Sequence, residues 1–166
     1  QGENMINITE PKLVERSEQH YVAIRKLVSM AEIGPTLPPL SDDVFAWLAE
    51  KGIQPSGAVF WRYNVVEMDK KLEIDVAVPV ASPIKGDGQI IADVLPAGRY
   101  ATMLHTGHPS ELEEATANLL AWAEKNNIQW KMDGERWGGR VEWYYSDPAI
   151  EPDMSKWETE LAFLTA

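Results

Sequence analysis

The residue types that could do chemistry cluster in the last third of the chain. Val141-Glu142-Trp143-Tyr144-Tyr145 sets a carboxylate beside indole and phenol groups, and Trp157-Glu158-Thr159-Glu160 alternates two further carboxylates with other side chains. Between residues 133 and 139, Asp133-Gly134-Glu135-Arg136-Trp137-Gly138-Gly139 carries a large ring among glycines. Aromatic faces and an interior carboxylate both favour an organic cation, while apolar walls take up its hydrophobic body. Each cation–π contact contributes roughly 0.5–2 kcal/mol, so several must act together. An interior carboxylate also has its pKa raised by desolvation unless a partner compensates, and a cationic ligand is such a partner. The same groups suit acid/base chemistry, with Glu160, Glu142, Tyr144 or Tyr145 activating a water.

Other chemistries lack their residues. His105-x-x-His108 offers two metal ligands before Pro109, with no cysteine to close a zinc site, so no metal is expected. No Gly-x-Ser-x-Gly elbow is present, Gly86-Asp87-Gly88 lacks the rest of a dinucleotide fingerprint, and no Gly-Lys-Ser/Thr loop cradles a phosphate. No cofactor is expected. Seven Trp residues is a high count, yet any one of them is more often core than ligand contact; Trp47, at helical spacing with Val44 and Leu48, reads as core. Trp137 is the exception, because a glycine-flanked loop gives a large ring no helix or strand to pack for, and loops carry binding residues disproportionately.

The elements that must position these residues come in two copies. Val59-Phe60-Trp61-Arg62-Tyr63 returns as Val141-Glu142-Trp143-Tyr144-Tyr145, and Leu72-Glu73-Ile74-Asp75-Val76-Ala77 returns as Trp157-Glu158-Thr159-Glu160-Leu161-Ala162. Two copies of one supersecondary unit pack about an approximate two-fold axis, and a ligand groove belongs at the seam. Each half reads strand-strand-helix-strand-strand. Lys12–Ser17 with Tyr21–Val28, and Ile90–Leu95 with Arg99–His105 around Pro96-Ala97-Gly98, read as hairpins, with Tyr21 corresponding to Tyr100. The first helix starts at an Ser41 N-cap and ends near Gly52; the second opens on Ser110 and Glu113 in capping-box register. Ala58–Val65 with Leu72–Val80, and Arg140–Ser146 with Lys156–Leu164, complete the halves. The expected class is α+β: duplicated β-β-α-β-β units related by a pseudo-two-fold, antiparallel sheets with helices on the outer side, and a groove between the repeats. Residues 1–10 form a tag remnant and lead-in, 11–80 repeat one, 81–88 a joint and 89–166 repeat two of a single domain. Alternation turns Leu72, Ile74, Val76 and Val78 toward the helices and Glu73, Asp75, Glu158 and Glu160 away from them.

Composition narrows the partners. A formal charge of −11, from 26 carboxylates against 15 Lys and Arg, repels phosphate backbones, so nucleic acid is not expected. No apolar run approaches the roughly 18 residues of a membrane span. The absence of cysteine is compatible with a reducing cytoplasm, the expected location. Gln1-Gly2 looks like a protease-cleavage remnant. A homodimer is compatible with all of this.

Gly139-Arg140-Val141-Glu142-Trp143-Tyr144-Tyr145-Ser146-Asp147-Pro148, followed by Ser155-Lys156-Trp157-Glu158-Thr159-Glu160-Leu161, resembles the carboxy-terminal signature of the GyrI-like small-molecule-binding domains. These occur as effector-binding domains of multidrug-responsive transcription activators, as gyrase-inhibitory proteins and as standalone modules, some on mobile integron cassettes. The resemblance runs from about Lys12 to the end. It implies two joined units with a groove for bulky, often cationic, drugs, an acidic floor residue on Glu160, and a Glu-x-Tyr motif on Glu142 and Tyr144. The repeat alignment pairs Tyr63 with Tyr145, whereas the family motif pairs it with Tyr144. Too few residues precede Lys12 for the regulators' helix-turn-helix, so a standalone module is expected. Its groove would be lined by Trp61, Tyr63, Trp137, Glu142, Trp143, Tyr144 and Glu160. The resemblance also implies two alternatives: a hydrolase of strained, cyclopropane-containing electrophiles using Glu160, Tyr144 and Glu142, and a gyrase-inhibitor type of protein–protein module.

Overall fold

Runs of β-branched and aromatic residues with alternating burial supply the centre of one curled antiparallel sheet, and three helices cover one of its faces. The structure, a computed structural model, describes residues 6–67 and 70–166; the expected remnant Gln1-Gly2 lies outside the described residues. The elements are β1 (Asn7–Ile8), β2 (Lys12–Arg16), β3 (Gln19–Val28), α1 (Met30–Thr36), α2 (Leu40–Lys51), β4 (Phe60–Val66), β5 (Leu72–Pro79), β6 (Ile90–Leu95) and β7 (Gly98–Thr106). After them come α3 (Leu112–Lys125), β8 (Met132–Asp133), β9 (Arg136–Trp137), β10 (Arg140–Tyr144) and β11 (Glu158–Leu164). Among the described residues, no helix is long and apolar enough to cross a membrane.

The pairing corrects both expected hairpins. β2 pairs with β7, from Lys12 opposite Thr102 to Arg16 opposite Gly98, and β6 pairs with β3, from Gln19 opposite Leu95 to Ile24 opposite Ile90. The short connections therefore cross between the halves instead of turning back. Two-residue hairpin turns need positive φ at their central positions, which Ser17-Glu18 and the φ-locked Pro96-Ala97 do not supply. Read outward from the central β4–β10 contact, the order is β5-β3-β6 on one side and β11-β7-β2 on the other. These registers carry Tyr21 onto Tyr100, Asp75 onto Glu160 and Tyr63 onto Tyr144, so Tyr63 corresponds to Tyr144 and not to Tyr145.

The helix starts also differ from expectation. In α2 the N–H groups of Leu40 and Asp42 are taken by the carbonyls of Leu37 and Pro39, so Ser41 is not the cap and its hydroxyl donates to the Pro38 carbonyl. Residues 109–111 form a 3₁₀ turn before α3, and His108 Nδ1 takes the Ser110 N–H, so the expected capping box does not form. The unexpected α1 follows Ser29, whose backbone N–H donates to Glu32 at 2.7 Å.

Cross-strand register sorts the sheet into two faces. On the helix face, Val22, Ile24 and Val78 pack with Val44 and Leu48 of α2, Leu72, Ile74 and Val76 pack with Leu37, and Met103, Leu161 and Phe163 pack with Ala115 and Leu119 of α3. At roughly 1.5–3 kcal/mol for each large apolar side chain fully buried, these clusters are what hold the helices down. The opposite face needs no helix, because the curled sheet closes over Tyr21, Phe60, Ala77, Leu95, Tyr100 and Ala162.

Candidate functional site

β4 and β10 meet at the middle of the sheet, between the ground covered by the helices of the two halves, and on the helix face they turn aromatic and polar. Glu142 lies directly opposite Trp61, and alternation places Arg140 and Tyr144 on the same face of β10 and Tyr63 beside Trp61 on β4. The Tyr63 hydroxyl donates to Glu142 Oε1 at 3.0 Å, and the Tyr144 hydroxyl donates to that same oxygen. Oε2 accepts no hydrogen bond among the described residues. Trp61 meets Tyr144 edge to face, with ring centroids 5.4 Å apart.

Burial sets the electrostatics. Glu142 is 8 % exposed, and desolvation pushes its pKa above the ordinary carboxylate value against the opposing pull of both tyrosyl hydroxyls, Arg140 and His105. Desolvation, and then the charge of Glu142, hold the phenols of Tyr63 and Tyr144 well above their usual value, so both remain hydrogen-bond donors. The arrangement is a buried carboxylate with one oxygen satisfied by two donors and the other open, walled by rings.

Trp137 reaches this face differently from expectation. It lies in β9, which pairs with β8, while its neighbour Arg136 pairs with Val65 of β4; its ring packs on Phe163 at 5.9 Å and Trp130 at 6.1 Å. The glycine-rich segment is a small hairpin, and the ring is half-buried against the core of the helix face. Trp61, Tyr63, Trp137, Glu142 and Tyr144 are thus brought to one face.

Trp143 and Glu160 lie on the other. Trp143 sits opposite Phe60 and Glu160, with ring centroids 4.4 Å apart in the Phe60 contact. Glu160 is clamped by both terminal nitrogens of Arg16 at 2.8 Å and accepts from the Tyr145 hydroxyl at 3.0 Å. Tyr145 is pushed up to about 12 by burial and by the charge of Glu160. Here a carboxylate is neutralised within the protein, beside a cavity of about 410 Å³ whose lining includes Arg16, Gln19, Tyr100, Trp143 and Tyr145. The corresponding Asp75 is fully buried and equally committed: Arg25 donates at 2.6 and 3.0 Å and the Tyr21 hydroxyl at 2.7 Å. Glu160 and Asp75 are thus ion-pair partners, because each faces an arginine that the strand exchange or a neighbouring strand delivers.

Two residues on this face were not expected at the site from the sequence. Arg140 stacks over Trp137, with its guanidinium carbon 4.5 Å from the ring centroid, and the two-residue spacing Arg140-Val141-Glu142-Trp143-Tyr144 was the available signal. His105 is fully buried, its Nε2 lies 2.8 Å from Glu111, and it pairs with Thr159, which pairs with Tyr144. Only the β7–β11 register brings it there.

No curated protein sequence matches the chain. Solved structures do match it. The C-terminal domain of EcmrR superposes with a TM-score of 0.78 at 24 % identity, covering 95 % of this chain and 97 % of that domain. Against EcmrR in its DNA complex, the chain spans only 57 % of the longer protein. SAV2435 bound to tetraphenylphosphonium gives 0.63 at 13 % identity, covering 95 % and 94 %. A hydrolase from Listeria innocua gives 0.63 at 12 % identity, covering 95 % and 92 %. At these identities the likeness is one of fold. The sequence itself matches the profile of the GyrI-like small molecule binding domain over residues 9–164. With nearly its whole length inside that match, the chain belongs to the GyrI-like small-molecule-binding domain family.

Proposed function

We propose that this protein is a small-molecule-binding module whose groove on the helix face takes up a lipophilic organic ligand, cationic in the part that reaches Glu142. The observation that carries the reading is the open Oε2 of a buried carboxylate, set among Trp61, Tyr63 and Tyr144. A cation about 4 Å from that oxygen gains roughly 4 kcal/mol at an effective dielectric of 20, before desolvation is subtracted, and ring contacts add to it. The tetraphenylphosphonium held by SAV2435 is a ligand of this class. Glu160 supplies no comparable attraction, because Arg16 already neutralises it.

Tryptophan fluorescence titrated with tetraphenylphosphonium and with uncharged triphenylphosphine oxide tests the reading. The cation is expected to bind at least about tenfold more tightly, and Glu142→Gln to remove most of that difference. Equal affinity for the two compounds, or no effect of Glu142→Gln, overturns the electrostatic part.

A hydrolytic reading rests on the same pair of residues. Burial moves Glu142 toward the range of a general base, and its open oxygen is free for a water, with Tyr144 as the proton donor nearby. Mass spectrometry of a strained electrophile after incubation separates the readings, since a binder returns it unhydrolysed.

A further inference from the structure

Arg140 is a charged group on the groove face that the proposed function leaves unused. The other arginines all have oxygen partners: Arg16 pairs with Glu160, Arg25 with Asp75, Arg99 with Glu15 and Arg136 with Glu73, while Arg62 donates to the carbonyls of Val94 and Gly138. Arg140 has neither hydrogen bond nor ion pair among the described residues. Its guanidinium carbon lies 4.5 Å from the Trp137 centroid, 4.9 Å from Phe163 and 5.9 Å from Tyr63. Glu142 attracts it without touching it.

A guanidinium in that setting is unfinished. Desolvation by its surroundings acts against its charge, and ring faces compensate the charge but accept none of its in-plane N–H donors. Those donors are not sealed in. Arg62 Nε is a buried nitrogen without a partner, but no nitrogen of Arg140 is among such atoms, so each keeps access to solvent. A stacked, partnerless, accessible guanidinium matches a planar carboxylate, which it can bind through two parallel hydrogen bonds.

Its position relative to Glu142 sets the rest of the ligand. The two residues lie two apart on one strand, so their Cα atoms are about 7 Å from one another along the groove face. Resting on the groove reading above, we infer that Arg140 is the receptor for a carboxylate, and that the groove selects amphoteric aromatic ligands over simple lipophilic cations. Such a ligand directs its cationic centre to Glu142 and its carboxylate to Arg140, with its rings between Trp61 and Trp137.

Rhodamine B and its ethyl ester test this, because both carry the cationic xanthene and only the first carries a free carboxylate. Fluorescence polarisation is expected to show the acid binding about tenfold or more tightly than the ester, the value of a charge-assisted pair. Arg140→Gln is expected to abolish that preference. Arg140→Lys, which keeps a charge without the planar fork, should retain a few-fold preference and serves where the Gln variant does not fold. Equal binding of the two dyes to the wild type, or a preference that survives both substitutions, overturns the inference. So does tighter binding of the ester, which would make Arg140 a plug. If tetraphenylphosphonium binds and neither rhodamine does, the inference falls and the groove reading stands. If none of the three binds, the groove reading falls as well.

Discussion

Glu142→Gln is expected to move stability and cation binding in opposite directions. Both tyrosyl hydroxyls donate to Oε1 and none to Oε2, so glutamine in the same rotamer keeps both hydrogen bonds and places its amide nitrogen where the open oxygen was. The substitution therefore removes only the cost of ionising a buried carboxylate. Burial raises the folded pKa of Glu142 above its unfolded value. With that sign, the favourable contribution of the protonated form is complete below the unfolded pKa and is lost as pH rises through the folded one. Above it the wild type carries the penalty in full, at about 1.4 kcal/mol for each unit by which the pKa is raised. Each step of about 1 kcal/mol in that relief corresponds to a Tm increase of roughly 2–4 °C for a chain of this size. Thermal unfolding of both proteins across pH 4 to 8 reads it directly: the curves should converge at the acid end and separate toward pH 8, with the variant more stable. The same variant should lose at least about tenfold in tetraphenylphosphonium affinity. Wild-type affinity for the cation should climb as pH rises through the folded pKa, since binding favours the carboxylate. A variant less stable than wild type at pH 8, or a difference independent of pH, would falsify the account of Glu142 as a strained, open anion.

Asp75→Asn is expected to cost roughly 1–3 kcal/mol, because it removes the buried partner of Arg25, which keeps Asp93 at 3.1 Å, while the Tyr21 hydroxyl, already accepting from Arg62, has its proton committed to the same carboxylate. Urea denaturation measures it, and a loss under about 1 kcal/mol would mean the network contributes little to stability. Gly98 sits at φ +153, and an added Cβ would lie 2.7 Å from Leu164 Cδ1. Gly98→Ala should therefore cost about 1–3 kcal/mol at the start of β7, read as a drop in denaturation midpoint; an unchanged midpoint would show that the backbone relaxes there.

Much of the framework was legible because it rests on local pattern. The alternation of Leu72, Ile74, Val76 and Val78 with Glu73, Asp75 and Ala77 placed the apolar set against the helices, as found in the clusters around α1 and α2. The apolar stripe of α3 and the aromatic β4 and β10 followed from the same periodicities. Partner choice was less accessible. Pro96-Ala97-Gly98 has the composition of a turn, and the φ lock of Pro96 only disfavours a tight reversal without naming the strand to which the chain crosses. Ser41 and Ser110 have the side chains of caps, yet α2 begins before Ser41 on bonds to the carbonyls of Leu37 and Pro39, and a 3₁₀ turn in which His108 takes the Ser110 N–H precedes α3.

The site divides along the same line. The Glu142-x-Tyr144 spacing fixed two groups on one face of a strand, because side chains two apart on a strand share a side whatever the rest of the chain does. Which carboxylate stays available is a long-range matter. Glu160 and Glu142 are equally acidic in the sequence, but Arg16 crosses from β2 to neutralise one, while tyrosyl hydroxyls, a distant guanidinium and His105 surround the other. By itself the sequence determined the residue types, the periodicity of each element and the family. Only the tertiary structure decided which strands exchange, which charges cancel and which oxygen remains open, because desolvation and ion pairing depend on side chains that fall far apart along the chain.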